Sequence, residues 1–143
     1  MTLTQDEIEL LRASFRQLAQ APEQAASLFY GRLFERTPAA RAMFPADMDA
    51  QGLKMMSTLG LVVSQLHDLA AMTPVVGALA RRHVGYGVRP EHYALLAEPL
   101  DYMLRQGLGE KCTEAVADAW AKALAGLAAA MIAAAYPPEP AAA

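Results

Sequence analysis

Apolar side chains recur at three- and four-residue intervals along most of the chain, and no segment sustains the two-residue alternation of a strand. Such spacing is typical of amphipathic helices, because positions three and four apart share one face. Thr4 and Glu7 form a capping-box sequence ahead of the first apolar series, which predicts a helix start. Pro22 can open a second helix, and Thr37 followed by Pro38 predicts its end.

The middle of the chain predicts three more helical pieces. A short one reaches Phe44, residues 44–49 form a loop, and a long helix runs from about Ala50 to Ala70. Thr73 before Pro74 predicts the start of the next helix, which the glycines at 85 and 87 should stop.

The last third of the chain predicts two long helices. The first opens at Pro90, is expected to kink at Pro99 within it, and ends at the glycines at 107 and 109. The second is capped by Thr113 and runs to Tyr136.

The fold class expected from this pattern is all-α, with about six main helices plus a short third helix in one domain over residues 1–136. A loose tail should follow at 137–143. Composition agrees, because alanine supplies 31 of the 143 residues whereas valine, isoleucine and threonine together supply only 15. Alanine favours helices, and β-branched residues favour strands.

Charge and cysteine content exclude several classes of function. The formal net charge is −3 and no cluster of basic residues stands out, which disfavours nucleic-acid binding. Cys112 is the only cysteine, so the chain cannot form an internal disulfide or a cysteine-rich metal site. Whether Cys112 is a surface thiol or a core side chain stays open.

The sequence gives no sign of a membrane or secretory segment. The first residues are acidic and lack the cationic stretch that begins a secretory signal. The most apolar stretch, 115–136, contains Asp118 and Lys122, which are costly in a membrane-spanning helix. We therefore expect a buried helix, no membrane partner and a cytoplasmic protein.

His83 is the histidine with the most distinctive position. Val76, Leu79, His83 and Tyr86 are spaced 3, 4 and 3 apart, which puts the imidazole on the core face of its helix. Two interpretations remain at this point: a core histidine bonded to a carbonyl and a side chain, or a ligand of a metal or of haem. No second ligand lies at i+3 or i+4, so a zinc site is unsupported, whereas haem needs only one protein ligand. His67 and His92 are expected to be solvated or capping residues.

Taken together, several landmarks resemble those of single-domain bacterial globins, relatives of the haem domain of flavohaemoglobins. The resemblance covers about residues 4–136 and rests on these residues, in order: Phe29-Tyr30, Phe44, Gln51, Arg82-His83, Val88, Pro90-Glu91-His92-Tyr93 and Ala119-Trp120. It implies a globin fold that holds haem b through His83.

The same resemblance implies roles for the other residues of the pocket. Phe44 would stack on the porphyrin, and Tyr30, Gln51 and Met55 would face the bound gas. Lys54 and Arg82 would either hold the haem propionates or be solvated. The cofactor contacts implied in addition are Leu79, Val88, Tyr93 and Leu96, and the carbonyl of Leu79 should bond the second nitrogen of His83.

Two expectations about reactivity follow from this resemblance. Tyr30 and Gln51 supply two hydrogen-bond donors, which predicts tight dioxygen binding and slow release, unless Tyr30 and Met55 are merely core side chains. The glutamate that polarises the proximal histidine in flavohaemoglobins, working with a tyrosine that Tyr93 matches, falls on Ala135 here. Its absence predicts weak electron donation from His83 and little peroxidase activity.

Several functions fit these expectations. One is reversible binding of dioxygen for storage, delivery or scavenging. Another is nitric oxide dioxygenation, which requires an external reductase because no G-x-G-x-x-G sequence for a nucleotide cofactor is present. A gas sensor and a helical interaction module without haem are weaker alternatives. Either a monomer or a homodimer is compatible with the sequence.

Overall fold

The computed structural model describes residues 3–66, 73–85 and 90–135. Six α-helices are present in this part of the chain: α1 (Gln5–Ala19), α2 (Pro22–Arg36), α3 (Met48–Ser64), α4 (Thr73–Gly85), α5 (Ala97–Leu108) and α6 (Glu114–Ala135). Three short 3₁₀ helices connect them, at Pro38–Met43, Pro90–Leu96 and Gly109–Lys111. No strand occurs within the described ranges, so the predicted all-α class is confirmed.

Several helix ends lie where their capping residues predict. The Thr4 hydroxyl accepts from the Glu7 amide while the Glu7 carboxylate accepts from the Thr4 amide, which completes the capping box of α1. Pro22 is the first residue of α2. Thr113 caps α6 by accepting from the amide of Val116. These ends are set by local bonds, which explains why the sequence was sufficient to predict them.

The long middle helix differs from the prediction at both ends. It begins at Met48, not Ala50, because the Asp47 side chain accepts from the Ala50 amide and caps an earlier turn. It ends at Ser64, whose hydroxyl donates to the carbonyl of Leu61 and so competes with continuation of the helix. The predicted end at Ala70 was therefore wrong.

The predicted kink at Pro99 was also wrong. A 3₁₀ helix covers Pro90–Leu96, and the α-helical part begins only at Ala97, so Pro99 falls in the first turn of α5. A proline is tolerated in the first turn, because the amide it lacks would have no partner within the helix. Gly107 is a helical residue, and Gly109 alone ends α5 with a φ of 59°.

Two hydrophobic clusters form the interior of the described chain. The larger joins α1, α2, α3 and α5 to the first half of α6, where Trp120 donates its indole N–H to the buried Ser14 hydroxyl over 2.8 Å. The smaller joins α4 to the second half of α6 through Leu79, Ala80 and Met131. The two clusters leave a gap between them, which contains the site described below.

One described helix, α6, is long and apolar enough to cross a membrane by length and composition alone. The core helix of a water-soluble protein passes the same test, and α6 packs against α1, α4 and α5. The apolar stretch of α6 contains two charged residues. Lys122 pairs with Glu7, and Asp118 is exposed. The predicted residue Tyr136 and the tail at 137–143 lie outside the described residues.

Candidate functional site

A cavity of about 460 Å³ lies between the two hydrophobic clusters. Its walls come from α2, α3, α4, α5, α6 and the 3₁₀ helices Pro38–Met43 and Pro90–Leu96, and most of the lining side chains are apolar. A cavity of this size, with a few polar groups in an apolar wall, is typical of a site for a small molecule or cofactor.

Tyr30 and Gln51 form a hydrogen-bonded pair on the wall made by α2 and α3. The Gln51 Nε2 donates to the Tyr30 hydroxyl oxygen over 3.2 Å. Because that oxygen accepts from Gln51, the Tyr30 O–H proton is directed to another acceptor. Burial raises the pKa of the Tyr30 phenol, and the bond from Gln51 lowers it in part. The phenol is therefore neutral near pH 7 and can donate.

The approach of α3 to α2 depends on the glycine that follows Gln51. A Cβ atom on Gly52 would lie 2.7 Å from the Cβ of Ala26, closer than two carbon atoms can pack. The two helices therefore touch at Gly52 and Ala26, one residue from Gln51. This close contact brings the Gln51 amide within reach of the phenol.

Three phenylalanines surround the Tyr30 ring. The Phe29 centroid lies 4.8 Å away, that of Phe44 5.2 Å away, and that of Phe34 5.9 Å away. Phe34 and Phe44 also meet edge to face at 5.6 Å. Edge-to-face and offset contacts of this kind add to the stabilisation from burial alone, so the phenol is held by its ring as well as by Gln51.

His83 lines the same cavity from α4. Its Nδ1 lies 2.8 Å from the carbonyl oxygen of Leu79, as expected from the sequence. A carbonyl oxygen can only accept, so Nδ1 carries a proton, and in the neutral ring Nε2 then carries the lone pair. This is the tautomer that a metal-ligating histidine needs.

Tyr93 lies beside His83 and not on the described wall of the cavity. The two rings stack with centroids 6.3 Å apart, and the Tyr93 hydroxyl is buried. A direct contact between Tyr93 and a cofactor stays a prediction. Ala135 packs in the same small cluster as Tyr93. A methyl group thus occupies the position where the resemblance to flavohaemoglobins implies a carboxylate.

Two cations lie at one edge of the cavity. Lys54 of α3 and Arg82 of α4 line both this cavity and a neighbouring groove of about 440 Å³, together with Thr58. Among the described residues, no aspartate or glutamate lines either space, and neither cation forms an ion pair. This edge of the cavity is suited to carboxylate groups.

The remaining predicted residues are mostly brought together at this cavity. Phe44, Met55, Leu79 and Leu96 line it along with Tyr30, Gln51 and His83. Val88 and His67 lie outside the described residues. Cys112 is half-buried against the larger cluster, and burial raises the pKa of its thiol.

Sequence reasoning missed His92, which lines the cavity although it was expected to be solvated or capping. A signal was present: Leu95 and Leu96 follow it by three and four residues and line the cavity too. Because a 3₁₀ helix holds these residues, positions three apart lie almost directly above one another.

The donor set fits haem better than an isolated metal ion. Within the described ranges, no group of three or more histidine, cysteine, aspartate or glutamate side chains could hold a metal. A porphyrin brings four nitrogen ligands and needs one imidazole from the protein. A single oriented imidazole, an apolar cavity and two cations at its edge match those needs.

These features define an all-helical protein whose apolar cavity is lined by two histidines, of which His83 is oriented by the Leu79 carbonyl. The family model described as Globin matches residues 27–131, and the chain belongs to the globin family. It is 32% identical over 122 residues to a flavohemoprotein of Bordetella parapertussis, an overlap that covers 83% of this chain and 30% of that protein. A flavohemoprotein of Halalkalibacterium halodurans is 27% identical over 125 residues, covering 85% of this chain and 30% of that protein.

Two solved structures have a similar fold. An engineered carbene transferase from Rhodothermus marinus, whose description includes nitric oxide dioxygenase, has a TM-score of 0.80 and 28% identity, covering 90% of this chain and 89% of that one. A bacterial globin from Campylobacter jejuni has a TM-score of 0.83 at 23% identity, with 92% and 96% covered, and shows the fold alone. Membership of the globin family supports haem and gas binding by this chain.

Proposed function

We propose that this globin holds haem b through the Nε2 of His83 and reversibly binds dioxygen beside Tyr30 with high affinity. The observation that carries the proposal is that one cavity contains both an oriented imidazole and a Gln51–Tyr30 pair. When bound, haem supplies an iron atom with one coordination position open to a diatomic gas.

Residues around the cavity would hold the haem. The Leu79 carbonyl fixes the ring orientation and tautomer of His83. Phe44 and Leu96 would contact the porphyrin, and Lys54 and Arg82 would pair with its propionates. The apolar wall excludes water, which would otherwise promote oxidation and solvate the gas.

Tyr30 would donate the hydrogen bond that retains dioxygen, and Gln51 would orient that donor. Gln51 donates to the phenolic oxygen, so the phenol proton is not used in that bond and would be donated to a ligand in the cavity. A hydrogen bond to a partly charged acceptor is worth about 1–3 kcal/mol. Met55, on the next turn of α3, would form the flexible apolar wall beside the ligand.

An absorption spectrum of the purified protein tests the proposal. We expect a Soret band that shifts when ferrous protein is exposed to dioxygen and reverts when the gas is removed. His83→Gly should lose this spectrum and regain it with added imidazole, whereas His92→Ala, a change at another cavity histidine, should keep it. An unaltered spectrum in His83→Gly would refute the proposed ligand.

Nitric oxide dioxygenation is the second candidate. Similarity to flavohemoproteins and to the Rhodothermus marinus protein supports it. Nitric oxide, dioxygen and one electron give one nitrate, so each cycle consumes an electron that an external reductase would supply. About one nitrate per haem without a reductase, and many in the presence of NADH and a flavin reductase, would favour this function.

With either function, the protein would act in the cytoplasm, as a monomer or homodimer.

A further inference from the structure

A four-residue connection, 44–47, joins the 3₁₀ helix Pro38–Met43 to α3 and carries Phe44 into the cavity. Arg41 bonds successive carbonyls of this connection. Its Nη1 donates to the carbonyls of Phe44 at 3.3 Å and Pro45 at 3.1 Å, and its Nη2 donates to that of Ala46 at 3.5 Å. One side chain therefore holds the backbone on both sides of the Phe44–Pro45 bond.

The same guanidinium also contacts the aromatic group around Tyr30. It lies over the face of Phe34, 5.7 Å from the ring centroid. Phe34 packs on the Tyr30 ring at 5.9 Å and on the Phe44 ring at 5.6 Å. Arg41 thus contacts the backbone that carries Phe44 and the ring that supports Tyr30 from outside.

Few side chains can make this set of contacts. A guanidinium is planar and presents five N–H donors in fixed directions, and it stacks on an aromatic face. A lysine ammonium is a compact, strongly hydrated charge that cannot bridge several carbonyls in one plane. The ion-paired arginines of α2 and α5, Arg32, Arg36 and Arg105, bind carboxylates instead.

We propose that Arg41 is a positioning residue of the gas-binding side of the cavity, which holds Phe44 and, with Phe34, fixes the orientation of the Tyr30 phenol. The inference rests on the proposed function, since it assigns Arg41 a part in retaining haem and its gas ligand. It also makes a claim about the connection 44–47 that holds whether or not haem is bound.

The claim about the connection is tested by amide hydrogen exchange of the protein without haem. The Met48 amide donates to the carbonyl of Ala46 over 3.1 Å, and Arg41 holds that same carbonyl. In Arg41→Met, exchange of the Met48 amide should accelerate about tenfold, equivalent to about 1.4 kcal/mol. The exchange rate in Arg41→Lys should lie between that of Arg41→Met and that of the wild type. Arg16→Met makes the same change on the exposed surface of α1 and should leave the exchange unaltered.

The claim about Tyr30 is tested with carbon monoxide as the probe in the haem-loaded protein. A weaker or more variable hydrogen bond from Tyr30 should shift the C–O stretching band of Arg41→Met to higher frequency and broaden it, while Arg16→Met keeps the wild-type band. Faster exchange with an unchanged C–O band would reduce Arg41 to a loop-stabilising residue and overturn the positioning role. Unchanged exchange would refute the inference altogether, whereas a protein without any Soret band would refute the proposed function and leave the exchange result valid.

Discussion

The side-chain amide of Gln51 donates to the phenolic oxygen of Tyr30 over 3.2 Å. The sequence suggested two separate donors for a bound gas. In the structure, Gln51 uses one amide proton to hold the Tyr30 phenol, so Gln51 would affect a bound gas through Tyr30. Loss of Gln51 should therefore loosen the Tyr30 donor, whereas loss of the Tyr30 hydroxyl should remove it.

Removal of the Tyr30 hydroxyl is predicted to accelerate dioxygen release. A hydrogen bond of about 1–3 kcal/mol corresponds to a change of about 5- to 150-fold, and we expect Tyr30→Phe to fall in this range. Gln51→Leu should have a smaller effect. Stopped-flow displacement of dioxygen by carbon monoxide measures both rates.

Tyr102→Phe is the matched control for this prediction. It deletes the same hydroxyl from a tyrosine of α5 that lies under the Arg32 guanidinium and does not line the cavity. Its release rate should equal that of the wild type. Unchanged or slower release in Tyr30→Phe would contradict the hydrogen-bond argument.

The pH dependence of release should follow the titration of Tyr30. Burial raises the pKa of this phenol above its ordinary value of 10.0, so the O–H donor is present below that pKa and is lost as the pH rises through it. We expect a constant release rate from about pH 6 to about pH 9 and faster release only above about pH 10. The step should be absent in Tyr30→Phe, and a step near neutral pH in the wild type would be inconsistent with this assignment.

A methyl group at Gly52 is predicted to destabilise the protein and to disturb the Tyr30–Gln51 pair. The new Cβ would lie 2.7 Å from the Cβ of Ala26, and overpacking of this kind costs about 1–3 kcal/mol. This cost should exceed the gain of about 1 kcal/mol that alanine brings to a helix. Urea unfolding of Gly52→Ala measures the net change.

Gly31→Ala is the matched control, because nothing lies within 4 Å of a Cβ built at this exposed position of α2. It should stabilise the protein by about 0.5–1 kcal/mol through helix propensity alone. Equal effects of the two substitutions would show that the contact between α2 and α3 adjusts without cost.

A carboxylate at position 135 is predicted to strengthen electron donation from His83. Ala135 packs in the same cluster as Tyr93, which stacks on His83. In Ala135→Glu, we expect a higher iron–histidine stretching frequency in resonance Raman spectra of the ferrous protein, and increased peroxidase activity.

Ala134→Glu adds the same charge to an exposed position one residue earlier in α6 and should change neither measurement. If both variants behaved like the wild type, the carboxylate could not reach the histidine through the Tyr93 cluster. If both variants raised the iron–histidine stretching frequency, the cause would be a long-range effect of the added charge and not a local contact through Tyr93.

Local signals in the sequence predicted much of the fold. The capping box at Thr4, the proline at position 22 and the capping threonine at position 113 act within one helical turn, so the starts of α1, α2 and α6 were predicted correctly. Pro99 was misjudged because the pattern does not separate a 3₁₀ helix followed by an α-helix from one continuous helix. That choice depends on packing beyond the turn itself.

The candidate site was also predicted only in part from the sequence. Periodicity placed His83 on the core face of its helix, and the spacing of four residues fits the bond from His83 Nδ1 to the Leu79 carbonyl, which the resemblance implied. The spacing of Leu95 and Leu96 after His92 was a usable signal that His92 lines the cavity, but no spacing could reveal that Arg41 holds the carbonyls of Phe44 and Pro45. The residues of an irregular segment have no periodic spacing, so the sequence pattern does not predict their contacts.

By itself, the sequence determined the helical class, most helix starts and the single imidazole that suits haem, because these follow from neighbours within a turn and from residue chemistry. Only the tertiary structure decided that the Gln51 amide is used to hold Tyr30, that Tyr93 lies beside His83, and that Lys54 and Arg82 share one edge of the cavity. Each of these relationships joins residues from different helices. Their distances depend on how closely the helices pack, as at Gly52 and Ala26, and not on their separation along the chain.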